Sequence, residues 1–243
     1  MASEQMMLFE YFGMEMNDAV VRAEHVRKVY KTEEIEYMAI RDISLTIRRG
    51  EFATVLGPSG SGKTTLLDII GTLDTPTSGR IFIDGIDVSS LNDNELSRVR
   101  NEKIGFIFQS YNLVPYLSTL ENVMLPLVVT GKDDGNSREK AKRMLAEIGM
   151  SSKLKKKPTE LSGGEQQRAA IVRALMNNPP LILADEPTGN LDSKTSDAVL
   201  GLLIKESKER GATILMVTHD PRVAARSERR IYLKDGIIER EVR

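Results

Sequence analysis

The chain has 243 residues and a nearly balanced charge, with 34 Lys and Arg against 35 Asp and Glu. This balance excludes the strongly basic surface that is typical of nucleic-acid-binding domains, so we expect no nucleic-acid partner. The sequence contains no cysteine, which excludes disulfides, thiolate zinc sites and cysteine chemistry. The length fits one large domain or a domain with a subdomain, and no apolar run is long enough to cross a bilayer.

The first residues differ in composition from the rest of the chain, because five of the 11 methionines lie within residues 1–16. Chain ends are commonly poorly ordered, so we expect residues 1–19 to form a loosely ordered N-terminal extension. A short amphipathic helix that packs on a partner or on the domain is the alternative. Residues 20–243 are then predicted to form a single domain.

Four short runs are apolar at nearly every position: Phe52–Leu56, 104–108, 181–184 and Thr213–Val217. Such runs are typical of strands buried on both faces of a parallel sheet. Amphipathic segments between them, such as 137–149 and 193–210, predict the helices that cover the sheet. Alternating segments predict half-buried antiparallel strands at 20–30, 43–47, 80–84 and 230–233. The pattern as a whole predicts an α/β fold.

Each buried run leads directly into polar groups that suit phosphate or water chemistry. The first run ends at the loop that begins with Gly57, and the second at Gln109. Asp185 and Glu186 follow the third run, and His219 follows the fourth. Because ligands of open α/β sheets bind at the carboxyl ends of the strands, we expect these groups to share one site.

Residues 57–64 read GPSGSGKT and fit the phosphate-binding pattern G-x-x-x-x-G-K-[ST], between a predicted strand and the predicted helix 64–71. Glycines allow the backbone to wrap the phosphates, whose charge then faces N–H groups and the helix dipole. We expect Lys63 to reach the β- and γ-phosphates in catalysis and Thr64 to hold Mg²⁺. The predicted ATP-binding residues of this segment are Gly57, Pro58, Ser59, Gly60, Ser61, Gly62, Lys63, Thr64 and Thr65.

Five further side chains are candidates for the chemistry of the site. Asp185 suits Mg²⁺ as the partner of the loop threonine, and Glu186 suits the general base for an attacking water. His219 suits a hydrogen bond to the γ-phosphate and to that water, and Gln109 suits contact with Mg²⁺ and water. Tyr30 suits stacking on adenine. The ordinary alternatives are a loop carboxylate for Glu186, a packed or capping His219, and core packing for Tyr30.

Residues 161–175 read LSGGEQQRAAIVRAL and predict a second helix N-terminus that suits an anion, with Ser162 as its N-cap. This segment lies too far along the chain to build the first phosphate loop. In a head-to-tail two-fold dimer, the segment of one copy would cap the γ-phosphate held by the loop of the other. Two ATP molecules would then lie between two chains. The residues expected to act in this way are Leu161, Ser162, Gly163, Gly164, Glu165 and Gln166.

These motifs together resemble the ATP-binding subunits of ABC transporters, over nearly the whole chain from about residue 20. GPSGSGKT is similar to the Walker A motif, LSGGEQQR to the ABC signature and LILADE to the Walker B motif. Single residues resemble the Q-loop glutamine (Gln109), the switch histidine (His219), the A-loop aromatic (Tyr30) and the D-loop (Asn190, Leu191, Asp192).

The resemblance implies a P-loop NTPase fold with a RecA-like core and parallel sheet, an antiparallel β subdomain, and a helical subdomain at about residues 110–178. It implies an active ATPase that uses ATP and Mg²⁺, and a homodimer with two composite sites when ATP is bound. Three stretches, 66–85, 106–127 and 184–196, further resemble the lipoprotein-release and macrolide-export branch (LolD/MacB type).

The segment from Gln109 to Leu117 is rich in apolar and aromatic side chains. An exposed group of this kind suits a groove for a short helix of a membrane partner, with packing in the helical subdomain itself as the alternative. The resemblance implies a separate membrane permease that docks there, hence a cytoplasmic position on the inner face of the cell membrane. We expect export or lipoprotein- and lipid-type extraction. A nucleotide-gated regulatory ATPase on a membrane protein, without transport, is the alternative.

Overall fold

The computed structural model describes residues 18–32, 36–189 and 191–243. Residues 1–17 of the expected N-terminal extension and Asn190 of the expected D-loop lie outside these ranges. Within them, no helix combines the length and the apolar character that crossing a membrane requires.

The strands in chain order are β1 (Ala19–Lys31), β2 (Glu36–Arg48), β3 (Phe52–Leu56), β4 (Ser78–Ile83), β5 (Ile86–Asp87), β6 (Ile104–Ile107), β7 (Leu181–Asp185), β8 (Thr213–Val217), β9 (Arg229–Lys234) and β10 (Ile237–Val242). The α-helices are α1 (Lys63–Ile70), α2 (Asp93–Lys103), α3 (Thr119–Val129), α4 (Gly135–Glu147), α5 (Gly163–Leu175), α6 (Ser193–Arg210) and α7 (Pro221–Ala224). Short 3₁₀ turns lie at Val88–Ser90, Ser151–Lys153 and Pro158–Glu160.

A six-stranded sheet in the order β10-β9-β3-β8-β7-β6 carries the predicted parallel core. Strands β3, β8, β7 and β6 pair in parallel, which confirms the prediction from the four apolar runs. In β7, Leu181 and Leu183 belong to one buried cluster, whereas Ile182 and Ala184 belong to another. Both faces of the strand are therefore covered, and this explains why its apolar residues do not alternate with polar ones.

The antiparallel sheet has the order β2-β1-β4-β5 and confirms the predicted strands at 20–30, 43–47 and 80–84. The prediction for 230–233 is wrong in part. Strand β9 pairs in parallel with β3, where Val55 lies opposite Ile231, and is antiparallel only to β10. Alternation reports that one face of a strand is buried, whereas its direction is set by the connection through α7, which returns the chain parallel to β3.

The predicted helices 64–71, 137–149 and 193–210 correspond to α1, α4 and α6. Helices α3, α4 and α5 contribute to the second buried cluster, together with one face of the parallel strands. Helix α5 begins with Ser162 as its N-cap, as predicted, because the Ser162 Oγ accepts a hydrogen bond from the N–H of Glu165. These helices therefore lie against the same parallel strands that lead into the candidate site.

A buried asparagine fixes the loop that precedes α3. Asn122 is 0 % exposed. Its Oδ1 accepts from the Val114 N–H at 2.7 Å, and its Nδ2 lies 3.1 Å from the carbonyl oxygens of Val114, Leu117 and Ser118. A single side chain thus adds to the backbone hydrogen bonds along residues 114–118, where the Asn122 N–H already donates to the Ser118 carbonyl oxygen at 2.9 Å.

We predict that Asn122→Ala lowers the free energy of unfolding by about 2–4 kcal/mol, since it removes the four hydrogen bonds of a fully buried amide and leaves the Val114 N–H and the Leu117 carbonyl oxygen without that partner. The measurement is urea unfolding followed by circular dichroism. The control is Asn94→Ala on the exposed side of α2, which we expect to change stability by less than about 0.5 kcal/mol. Equal stability of the two variants would contradict the bracing role of Asn122.

Candidate active site

The GPSGSGKT loop joins the end of β3 to the start of α1. Gly62, the N-cap of α1, has φ +98°, and a Cβ there would lie 2.6 Å from the Ala39 carbonyl oxygen, so glycine is required. Lys63 Nζ donates to the carbonyl oxygens of Gly57 at 2.9 Å and Pro58 at 2.8 Å. The loop therefore curls around an ammonium group, beside helix N–H groups that have no acceptor within α1.

Ser61 supplies the loop with an unsatisfied polar atom. Its side chain is buried, and its Oγ has no hydrogen-bond partner among the described residues. Leaving a buried hydroxyl unpaired costs about 1–3 kcal/mol, which an anionic oxygen in the loop would offset. Ser59, Gly60 and Thr64 are exposed. The loop thus fits a phosphate group by shape, by charge and by its free donors.

Two contacts that hold this loop were not predicted from the sequence. The Tyr37 hydroxyl of β2 donates to the Gly60 carbonyl oxygen at 3.0 Å, and the Gly236 N–H donates to the Ser61 carbonyl oxygen at 3.1 Å. Tyr37 lies opposite Tyr30 in the β1–β2 register. The sequence analysis gave no signal for Tyr37, because this residue lies outside the strands predicted at 20–30 and 43–47.

Tyr30 lies beside the first turn of α1. Its hydroxyl donates to Asp74 Oδ2 at 2.8 Å, and the residue is 41 % exposed. Burial of the hydroxyl raises its pKa above the ordinary tyrosine value, and Asp74 raises it further. The ordinary alternative of core packing is wrong, because the ring is at the surface near the phosphate loop.

Thr64 and Asp185 approach each other from α1 and β7, with 3.4 Å between Thr64 Oγ1 and Asp185 Oδ2. Burial raises the pKa of the Asp185 carboxyl, and the charge of Glu186 adds to this rise. Burial likewise raises the pKa of Asp68, whose next largest cause is Asp185. Excess negative charge and hard oxygen atoms fit Mg²⁺. Over the described ranges no cluster of three or more His, Cys, Asp or Glu suits a metal.

Glu186 and His219 are brought into direct contact at the carboxyl ends of β7 and β8. His219 Nδ1 lies 2.7 Å from the Glu186 carboxylate, whose side chain is 14 % exposed, against 72 % for the histidine. The Glu186 backbone has φ +46°, a left-handed conformation that is costly for a non-glycine residue, and its N–H donates to Val217 O at 2.9 Å. The strained turn thus directs a carboxylate towards the exposed imidazole.

Gln109 follows β6 and is exposed. The chain then turns through Tyr111 and Asn112, which have φ +60° and +49°. Arg173 of α5 holds this turn, because its guanidinium donates to the Asn112 carbonyl oxygen and, at 2.8 Å, to that of Tyr111. Burial lowers the pKa of Arg173. The segment after Gln109 is therefore tied to the helix that begins with the signature.

The start of α5 is a closed capping box. The Ser162 N–H donates to Glu165 Oε2 at 2.8 Å, and Lys153 Nζ lies 3.1 Å from Glu165 Oε1. Leu161 is buried beneath the helix start, and Gln166 Nε2 donates to its carbonyl oxygen at 3.3 Å. The side chains of the capping box accept hydrogen bonds from backbone N–H groups at the start of the helix, while Ser162 remains exposed.

The atoms nearest to the two signature glycines come from other motifs. A Cβ on Gly163 would lie 2.9 Å from the Tyr111 hydroxyl. A Cβ on Gly164 would lie 3.2 Å from Thr195 Cγ2 and 3.7 Å from Leu191 Cδ2. The phosphate loop of the same chain does not supply these neighbours, so the structure does not bring the two anion-binding segments together within one copy.

The described part of the expected D-loop leads into α6. Asp192 is the N-cap of this helix, and its carboxylate accepts hydrogen bonds from the N–H and the hydroxyl of Thr195. These hydrogen bonds hold the pKa of Asp192 below its usual value. Leu191 is partly buried against the second cluster. The segment therefore has a fixed place beside the signature glycines.

Residues 40–189 match the family model described as ABC transporter. The chain belongs to the ABC transporter family. The match to an ABC transporter ATP-binding protein of Methanocaldococcus jannaschii is 50 % identical and covers 91 % of this chain and 96 % of that protein. A dimeric structure of that cassette in a post-hydrolysis state, bound to ADP and Pi, has a TM-score of 0.87 at 49 % identity and covers 92 % of this chain and 98 % of that chain. The P-loop NTPase fold is thus confirmed, and the chain is an ATPase.

The branch prediction is also confirmed. The lipoprotein-releasing system ATP-binding protein LolD of Aquifex aeolicus is 46 % identical, over 92 % of this chain and 97 % of LolD. The macrolide export ATP-binding/permease protein MacB of Syntrophobacter fumaroxidans is 48 % identical over 91 % of this chain. The match covers only 31 % of MacB, so this chain corresponds to about a third of that protein.

Proposed function

We propose that ATP closes two copies of this ABC ATPase head to tail over two nucleotides, and that hydrolysis lets them part and so drives a separate membrane permease. The observation that carries the proposal is the position of Gly163 and Gly164, whose nearest atoms belong to Tyr111, Thr195 and Leu191. Ser162 at this helix start is exposed, so the nucleotide of a second copy can face it. The dimeric archaeal cassette bound to ADP and Pi supports this arrangement.

Phosphate binding is assigned to the loop from Gly57 to Thr65. Lys63 exchanges its carbonyl contacts for the β- and γ-phosphates, and the Ser61 hydroxyl gains an acceptor. Thr64 and Asp185 are the residues that would hold Mg²⁺. When bound, Mg²⁺ neutralises phosphate charge and orients the γ-phosphate. Gln109, which follows β6, is assigned to contact with Mg²⁺ and water at the same carboxyl-terminal edge of the sheet.

Glu186 is assigned as the general base and His219 as its partner. The 2.7 Å contact lets the imidazole hold the carboxylate in one orientation, so that a carboxylate oxygen faces the water. The carboxylate accepts the proton of that water. In the imidazolium form, in which both ring nitrogens donate, His219 would hold the carboxylate through Nδ1 and a γ-phosphate oxygen through Nε2. Both side chains thus act through position and charge rather than through a covalent intermediate.

We predict that Glu186→Gln binds ATP normally but loses turnover by about 100-fold or more, because the amide cannot accept the proton. Phosphate release measures turnover, and calorimetry measures ATP binding. The matched control is Glu139→Gln, which alters an exposed carboxylate paired with Lys142 on α4. Near wild-type turnover in Glu186→Gln would remove this residue as the base.

A second prediction concerns the dimer. In the Glu186→Gln background, light scattering should give a monomer mass without ATP and a dimer mass with it. Adding Ser162→Arg should abolish the dimer without changing ATP binding, since the side chain fills the place of the partner's γ-phosphate. Ser162→Asp retains the N-cap and should act in the same way through charge repulsion. Ser90→Arg, at another exposed serine, is the control; an ATP-dependent dimer of Ser162→Arg contradicts the composite site.

The docking site for the permease is assigned to the apolar surface around residues 109–117 and α3. Tyr116 is 84 % exposed, and Val128 and Val129 are 50 % and 75 % exposed. Beside them lies a groove of 340 Å³ lined by residues that include Leu117 and Met124. A groove that combines apolar side chains with the charged Glu121, Asp133, Asp134 and Arg138 suits a short amphipathic helix of the permease. The name of MacB, which joins an ATP-binding and a permease part, supports a permease partner at the inner face of the membrane; transport is favoured over the purely regulatory alternative.

We predict that Tyr116→Arg weakens binding to inside-out membrane vesicles from the source cell by at least about tenfold, because a central aromatic contact becomes charged. Its ATPase activity without membranes should not change. Val242→Arg, at an apolar residue that is 37 % exposed on β10, is the control. If Tyr116→Arg binds the vesicles as the unmodified chain does, the permease docks elsewhere, and the ATPase assignment is unaffected.

A further inference from the structure

We propose that Asp74 is a positioning residue, which together with Lys28 holds the Tyr30 ring in the orientation that stacks on the adenine base. This inference rests on the proposed function, because it assumes that ATP binds beside the phosphate loop. It adds two charged residues to a site for which the sequence indicated only a lone tyrosine. The role is indirect, since both residues act through the tyrosine ring.

Asp74 connects two elements through one carboxylate. Its Oδ2 accepts from the Tyr30 hydroxyl at 2.8 Å, and its Oδ1 accepts from Lys28 Nζ at 2.6 Å and from the Thr75 N–H at 2.7 Å. The Asp74 N–H in turn lies 3.3 Å from the Asp68 carbonyl oxygen, near the end of α1. The carboxylate therefore ties the β1 strand to the turn that follows α1.

Lys28 fixes that carboxylate and also approaches the ring. Its side chain is only 11 % exposed, and its Nζ donates to the Thr75 carbonyl oxygen at 2.8 Å as well as to Asp74. The same nitrogen lies over the Tyr30 ring, 4.8 Å from the centroid. An ammonium group on one face of the ring leaves the opposite face for a flat base.

Both ends of the tyrosine side chain are thus constrained. The backbone of Tyr30 is held in the β1–β2 register, and its hydroxyl is held by Asp74. A ring with no freedom to turn loses little entropy when a base stacks on it. Burial works against ionisation of Asp74, but hydrogen bonds from Lys28 and Tyr30 outweigh it and keep its pKa below the ordinary value. The carboxylate is therefore charged at neutral pH.

The test compares two ligands in the presence of Mg²⁺: ATP, and inorganic tripolyphosphate, which has the phosphates but no base. In calorimetry, Asp74→Ala should weaken ATP binding about tenfold, the range found when base–aromatic stacking is removed. Tripolyphosphate binding should not change. In turnover assays, KM for ATP should rise while kcat is retained. The control is Asp42→Ala, which removes an aspartate that bridges His25 and Arg27 of β1. It should change the binding of neither ATP nor tripolyphosphate.

A double mutant separates positioning from a structural effect. In the Tyr30→Ala background, Asp74→Ala should cause no further loss of ATP binding, because there is no ring left to position. Asp74→Asn keeps an oxygen for the Tyr30 hydroxyl but loses the charge that faces Lys28, so it should lose less ATP affinity than Asp74→Ala. This variant replaces Asp74→Ala in the test if Asp74→Ala does not fold.

Three outcomes would overturn the inference: equal weakening of ATP and tripolyphosphate, no weakening of either, or an undiminished effect of Asp74→Ala without the ring. Failure of the proposed function has a different signature, namely an unmodified chain that neither binds ATP nor hydrolyses it. If Tyr30→Ala alone leaves ATP binding unchanged, adenine stacking and the role of Asp74 are both wrong, while the ATPase remains.

Discussion

The parallel register of β3, β8, β7 and β6 is the constraint on which the candidate site depends. Val55 lies opposite Val217, which lies opposite Asp185, so the three strands end at one level. At this level β3 leads into the phosphate loop, β7 leads into Glu186, and β8 leads into the turn before His219. Parallel strands need crossovers that cover both faces, and the covering helices bury the sheet. The hydrophobic burial of the strands therefore sets the distances between the polar groups at the ends of those strands.

The edge built in this way has an unfavourable excess of negative charge. Asp185 and Asp68 both have raised pKa values, chiefly because they are buried. The nearby cation of the loop, Lys63, is held by carbonyl oxygens rather than by these carboxylates. Under the proposed function, bound Mg²⁺ would offset this negative charge, so MgATP rather than free ATP is the expected ligand.

Local sequence predicted the elements better than it predicted their partners. The apolar runs predicted the parallel strands because burial on both faces leaves a local pattern. The predicted direction of β9 was wrong in part, since alternation of apolar and polar residues does not indicate whether a neighbouring strand is parallel or antiparallel. Tyr37 and Asp74 were missed because each reaches the site through long-range contact, Tyr37 across the β1–β2 hairpin and Asp74 from the turn after α1. The Thr64–Asp185 pair was predicted only through motifs, because no periodicity links residues so far apart.

The two helix starts account for the proposed division of each nucleotide site between two copies. The start of α1 carries the phosphate loop, whereas the start of α5 lies beside Tyr111, Thr195 and Leu191 of its own chain. In the proposed dimer, a two-fold axis converts this mismatch into two identical contacts, because each copy offers one loop and one signature. Both nucleotides would then lie in the same interface, so each would contribute to closure and hydrolysis of either would weaken it. Since Arg173 ties α5 to the turn after Gln109, closure would be transmitted to the surface assigned to the permease.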